Sequence, residues 1–259
     1  MIEVEGFVCK AFAMVQVETT KLRRDPTEIL SRAIQPALWM LLFGQVMSRS
    51  RVINTGSLRY LDFMAPGILA QSVLFTSIFY GLSAIWEKDL GILQKYLVSP
   101  APRSALVAGK ALSAGIRGLI QSVFVYVLSV ILGVHLNWHP LDLLGGLLAI
   151  LMGAAFFSTF SLIIACIVKS RERFMGIGQV MTMPLFFASN AIYPIAMMPP
   201  WLKTVSHLNP LTYQVDMLRS TMIVGGTNNY PIGLDLLVLV VATIAAILIA
   251  ARLYPGLAQ

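Results

Sequence analysis

Two histidines, His135 and His139, stand four residues apart, a spacing at which two imidazoles on one helical face can share a metal ion. Asn137 between them and Pro140 after them read as a turn instead, and no third ligand lies beside them. Gly109-Lys110 has two letters of a phosphate-binding loop. It lacks the following Ser or Thr and the earlier glycine at the right spacing, so no nucleotide pocket of that kind is expected. The apolar runs contain no carboxylate pair, Ser/His/Asp set or thiolate cluster, and Cys9 and Cys166 lie far apart. What remains are charges in greasy surroundings: Glu87, Arg117, and Asp216 with Arg219 three residues later. Such charges are costly and mark either a functional position or a fixed pair; Asp216 and Arg219 can neutralise one another on a helix.

The elements that must position them are apolar and long. Of 259 residues, 57% are hydrophobic and only 12% charged, about half the charged share of a soluble domain. Uncharged stretches near or above the length of a bilayer crossing recur, so the expected class is an all-α integral membrane protein; alternating segments of barrel type are absent. Six transmembrane helices are expected, at about residues 29–47, 61–86, 104–134, 141–168, 174–198 and 234–253. Residues 4–24 carry Val4, Phe7, Val8, Ala11, Phe12 and Val15 on one stripe and read as an amphipathic helix in the membrane interface. The whole chain, 1–259, reads as one membrane domain.

The net charge is +7. Most lysines and arginines fall on one side if both termini are cytoplasmic, so the basic excess reads as the positive-inside pattern rather than as nucleic-acid binding. Arg49, Arg51 and Arg59 are a local exception. In this topology residues 87–103 face the cytoplasm. Leu90, Leu93 and Leu97 line one face of a short helix, Ile92 and Tyr96 another, and Pro100 and Pro102 stop it. The segment is too apolar for a bare loop and too short for a span. It rests on the membrane surface or docks a cytoplasmic partner.

At the other side, residues 199–233 are too short and polar to cross. Trp201 after Pro199-Pro200 reads as an interfacial anchor, and the stretch from Leu211 reads as a helix that dips into the outer leaflet and returns, or as a structured external loop. Ser158, Thr159, Ser161, Ser189 and Asn190 read as interhelical hydrogen-bonding groups, and the Gly176–Gly178 pair as close helix packing.

Glu87, Gly91, Leu93, Leu97, Ser99-Pro100, Arg103 and Gly109-Lys110 together resemble the loop between spans 2 and 3 of ABC-2 type transporter permeases. Asn190, Tyr193-Pro194, Met198-Pro199, Trp201-Leu202, Asn209-Pro210-Leu211-Thr212-Tyr213, Asp216 and Arg219 resemble the segment between spans 5 and 6 of the daunorubicin-resistance-like, drug-exporting branch. The resemblance implies the permease subunit of an ATP-driven exporter of an amphiphilic or hydrophobic compound, drug or lipid-like, in the bacterial inner membrane. Glu87, Gly91, Leu93, Tyr96, Leu97 and Pro100 would couple to the ATPase, with Glu87 tethering the loop to a basic residue near the N-terminal helix. Pro199, Trp201, Asn209, Pro210, Tyr213, Asp216 and Arg219 would form a re-entrant external segment. The implied partners are ATPase subunits, which hold the ATP and Mg, a second permease subunit, expected to be identical, and membrane lipid. No cofactor, metal or catalytic residue is expected in this chain, which is not read as an enzyme. A lipid-linked glycan exporter, a non-transporting scaffold and a lipid-modifying enzyme are the alternatives.

Overall fold

The computed structural model describes residues 13, 15–18, 20, 27–50, 53–98, 102–168 and 170–258. Among them the fold is helical: α1 (Thr27–Leu38), a π-helical turn (Trp39–Gly44), α2 (Gln45–Ser50), α3 (Tyr60–Tyr80), α4 (Leu82–Asp89), α5 (Ile92–Val98), α6 (Arg103–Ile131), α7 (Pro140–Val168), α8 (Arg171–Phe187), α9 (Pro200–Leu208), α10 (Pro210–Met222) and α11 (Ile232–Leu253). The described parts of the expected interfacial helix (4–24), residues 13, 15–18 and 20, are helical; its other residues lie outside the described residues.

Four helical stretches are long and apolar enough to cross a bilayer: Tyr60–Asp89, Arg103–Ile131, Pro140–Val168 and Ile232–Gly256. The 29 residues of α7 reach roughly 44 Å, more than the hydrocarbon thickness. The other two expected spans look different. The first is a helical path over 27–50 interrupted by the π-turn, with Pro36, which cannot donate a backbone hydrogen bond, just before it. The fifth ends at Phe187, not near Met198 as the apolar run suggests. Ser189 and Asn190 turn the chain, and Pro194 steers Tyr193 out of helix.

Nearly all of α3 is buried. It packs on α7, α6, α10 and α1, and α7 in turn packs on α6, α11 and α10. The core has Ile68, Leu69, Val73, Phe157, Val215 and Leu218 at its centre. By contrast α11 exposes Leu237, Val241, Ile244 and Leu248, a stripe suited to lipid chains. Where α3 breaks into α4, the Ser161 hydroxyl of α7 donates to the Ile78 carbonyl, and Gly81 lets the two backbones meet. Ser158 and Thr159 instead bond within α7, to Ala155. Gly153 faces the Gln214 side chain of α10 so closely that an added Cβ would have to displace it. Gly178 packs on Ile78, whereas no side chain approaches Gly176.

At one end of the bundle lie α4 and α5; at the other lie α9 and α10. At the α9 end, His135 sits in a turn after α6. Its backbone N–H donates to Asp62 (3.1 Å) and its ring lies 3.0 Å from the same carboxylate. His139 lies 3.7 Å from Asp142, and among the described residues no group of three or more metal-ligating side chains forms. The turn also joins the end of α10 through an isolated antiparallel bridge, Leu136 to Ile223.

Candidate functional site: a buried charge quartet and a polar cavity

Tyr80 and Glu87 are seven residues apart at the α3–α4 junction, and Lys110 and Arg117 are seven apart on α6. Seven residues are close to two helical turns, so each pair shares a face. The two faces meet antiparallel. Lys110 Nζ lies 2.8 Å from Glu87 Oε2, and the Arg117 guanidinium lies 4.8 Å from the Tyr80 ring centroid. Glu18, from the N-terminal helical residues, closes the group: its carboxylate lies 3.8 Å from Lys110 Nζ and 3.7 Å from Arg117 Nη2. All four charged side chains are buried, Glu18 at 2% exposure and Arg117 at 6%. Among the described residues two acids and two bases meet here, and opposite charges in contact make burial tolerable.

Among the described residues the base against Glu87 is Lys110, at the start of α6, and the N-terminal helical residues contribute an acid, Glu18; the basic residues of the N-terminal helix, Lys10, Lys21, Arg23 and Arg24, lie outside the described residues. Glu18 had a legible signal: it falls three residues after Val15, on the apolar stripe, where a charge demands a partner.

The loop beyond Glu87 differs from expectation. Asp89 ends α4, Gly91 turns with φ +68°, a conformation that favours glycine, and α5 follows. Leu93 is not on an outward docking face. It is fully buried with Ala84, Leu106, Leu162 and Tyr254. Among the loop's described side chains, Leu90 and Val98 are the large apolar ones left exposed. Tyr96 and Leu97 lie in α5 with side chains outside the described set, and Pro100 lies outside the described residues.

At the α9 end, Pro199 precedes α9 and Trp201 is exposed. The Asn209 side chain caps α10 by accepting from the Leu211 N–H (3.0 Å) and donates to the Leu185 carbonyl (2.7 Å), with Pro210 at the first helical position. Asp216 and Arg219, expected to pair, have separate partners. Asp216 accepts from Asn190 Nδ2 (3.1 Å), both Asn229 N–H groups (2.6 and 2.7 Å) and the Tyr230 N–H (2.9 Å). Arg219 is buried, donates to the carbonyls of Asn190 (2.6 Å) and Phe63 (3.3 Å), and lies 3.8 Å from the Phe63 ring centroid. Tyr213 donates to the His207 carbonyl (2.7 Å) and stacks on Tyr230, whose hydroxyl meets the His207 ring. Burial raises both phenol pKa values, so both stay protonated. Asp235, not singled out by the sequence, is fully buried with neither carboxyl oxygen hydrogen-bonded.

Between the two ends, α1, α3 and α8 line an open cavity of about 320 Å³. One wall is aromatic, with Phe75 and Phe79 stacked 6.2 Å apart. Another is polar: Gln35, Gln71, Thr76 and Gln179, with the Arg32 guanidinium 5.8 Å from the Phe79 ring centroid. Gln71 Nε2 and the Thr76 hydroxyl are buried and make no hydrogen bond. Polar groups in that state suit a polar guest.

Residues 10–223 match the family model described as ABC-2 type transporter. The chain belongs to the ABC-2 type transporter family. Among its relatives, the putative transport permease ycf38 of Cyanophora paradoxa is 30% identical over 216 residues, 82% of this chain and 74% of the relative. The inner membrane transport permease YadH of Escherichia coli K12 is 26% identical over 222 residues, covering 83% and 82%. The daunorubicin resistance ABC transporter permease DrrB1 of Streptomyces coeruleorubidus is 22% identical over 197 residues, covering 76% and 69%. This ABC-2 chain is a membrane protein of a transport family, and these relatives are named as transport permeases. The matched region includes the charge quartet, the pocket, and Asp216 and Arg219 themselves, but not Asn229 and Tyr230, which hold Asp216.

Proposed function

We propose that this chain is the permease subunit of an ATP-driven exporter that moves an amphiphilic compound, drug or lipid-like, out of the cytoplasm or inner leaflet. The observation that carries this reading is the cavity between α1, α3 and α8, whose stacked rings and unpartnered polar atoms match a molecule with an apolar body and a polar head. On this reading the 27–50 path and α8 complete six spans in the inner membrane, both termini and the α5 end face the cytoplasm, and α9 and α10 form the re-entrant external segment. Separate ATPase subunits bind ATP and Mg below α5, and a second, identical permease completes the pathway.

The charge quartet supports a role in coupling. Glu87 stands between α5 and the start of α6, and Lys110 joins it to the N-terminal segment through Glu18. A push on α5 reaches both through one buried group of charges.

The test is co-reconstitution with the cognate ATPase in proteoliposomes, following daunorubicin and an NBD-labelled phosphatidylglycerol. ATP-dependent movement of either is expected, with Glu87→Ala retaining the bound ATPase but losing transport. If ATP moves neither compound, the reading is wrong.

A further inference from the structure

The short helix α4 is held on two opposite faces. Glu87 points toward α6. Ile85 and Asp89, two residues either side, point about 160° away, because each residue advances a helix by about 100°. That second face meets the start of α8. Ile85 packs with Phe174 in a small buried cluster that includes Ile164 and Ala165. Above it, Arg171 Nε and Nη2 both lie 2.7 Å from Asp89 Oδ2. The same guanidinium lies 4.9 Å from the Trp86 ring centroid. Arg171 is therefore gripped by a carboxylate and an indole of one helix, while its own backbone begins another.

An isolated ion pair at this exposure, 44% for Arg171 and 42% for Asp89, contributes little to stability. Its position gives it another use. Asp89 is the last residue of α4, and Gly91 and α5 follow at once. From Arg171, α8 runs eight residues, roughly 12 Å, to Gln179 in the cavity wall. The clamp is thus the point where the loop bearing α5 meets the helix bearing one side of the cavity.

We propose that Arg171 is a positioning residue for transport, and that its clamp on Asp89 and Trp86 carries displacement of the α5 loop into α8 and so to the cavity wall at Gln179. This rests on the proposed ATP-driven reading. The buried quartet on the opposite face of α4 is a separate connection, to α6 and the N-terminal segment, so the two can be cut independently.

The experiment places a single cysteine at Gln179→Cys, with Cys9 and Cys166 replaced by alanine, in the permease bound to its ATPase. The labelling rate of that cysteine by a charged maleimide is measured with and without Mg-ATP and vanadate. The expected parent response is a change of about fivefold, within the range that coupling mutations modulate. Arg171→Ala and Asp89→Arg should abolish it while the ATPase still co-purifies, Arg171→Lys should keep part of it, and the exchange Asp89→Arg with Arg171→Asp should restore it. A full response in Arg171→Ala overturns the clamp and leaves the ATP-driven reading standing. Loss in the single variants without recovery in the exchange also overturns it, as local damage. No nucleotide response in the parent sinks the ATP-driven reading, and the clamp with it.

Discussion

The two ends of the bundle both bury charge and solve the problem in opposite ways. At the α5 end, Glu18, Glu87, Lys110 and Arg117 compensate one another across three separate segments of chain. At the α9 end, Asp216 and Arg219 lie one turn apart on α10, yet each is satisfied by neutral partners: amides for the acid, carbonyls and a ring for the base. In the first, Lys110 lies against both acids and Glu18 against both bases, so the loss of one member reaches its neighbours. The second lets each charge fasten a different piece of the structure, Asp216 the 229–230 turn and Arg219 the Asn190 turn and α3.

The comparison breaks most visibly at Lys110. Lys110→Met removes the base that lies against both buried acids, Glu18 and Glu87, and should cost about 3–5 kcal/mol, read as denaturant or thermal unfolding in detergent. Unchanged stability would mean that the quartet does not hold together. Arg219→Met removes a donor from two buried carbonyls and should cost less, about 1–3 kcal/mol in the same assay. Asp216→Asn keeps the shape but trades an acceptor for a donor facing other N–H groups. We expect about 1 kcal/mol, and faster hydrogen exchange confined to residues 229–230. The sharpest contrast lies between two coupling energies. A double-mutant cycle on Glu87 and Lys110 should give a coupling of about 1–3 kcal/mol, and one on Asp216 and Arg219 less than about 0.5 kcal/mol. Equal couplings would erase the distinction between the two ends.

The long apolar helices were legible because the cost of placing charge in lipid is set residue by residue. The run expected from Ser104 begins at Arg103, and the one expected from Leu141 begins at Pro140. The family motifs were legible for a related reason: Asn209-Pro210 is a local helix start wherever it occurs. What depended on neighbours was not. The early end of α8 depends on Asn190 being held by Asp216 from another helix. Leu93 turns inward because Leu106, Leu162 and Tyr254 supply a pocket that no spacing within α5 reveals. The spacing of Asp216 and Arg219 allowed a pair, and better partners elsewhere took both side chains. The grip of Arg171 on Asp89 joins residues 82 apart in the chain.

Glycine at position 153 lets α7 and α10 approach closely enough for the buried amide of Gln214 to sit against the α7 backbone. A methyl group there would have to push that side chain aside. Where α1, α3 and α8 meet, by contrast, an open pocket already separates the walls, so on the exporter reading a gap widens there with the fewest contacts to break.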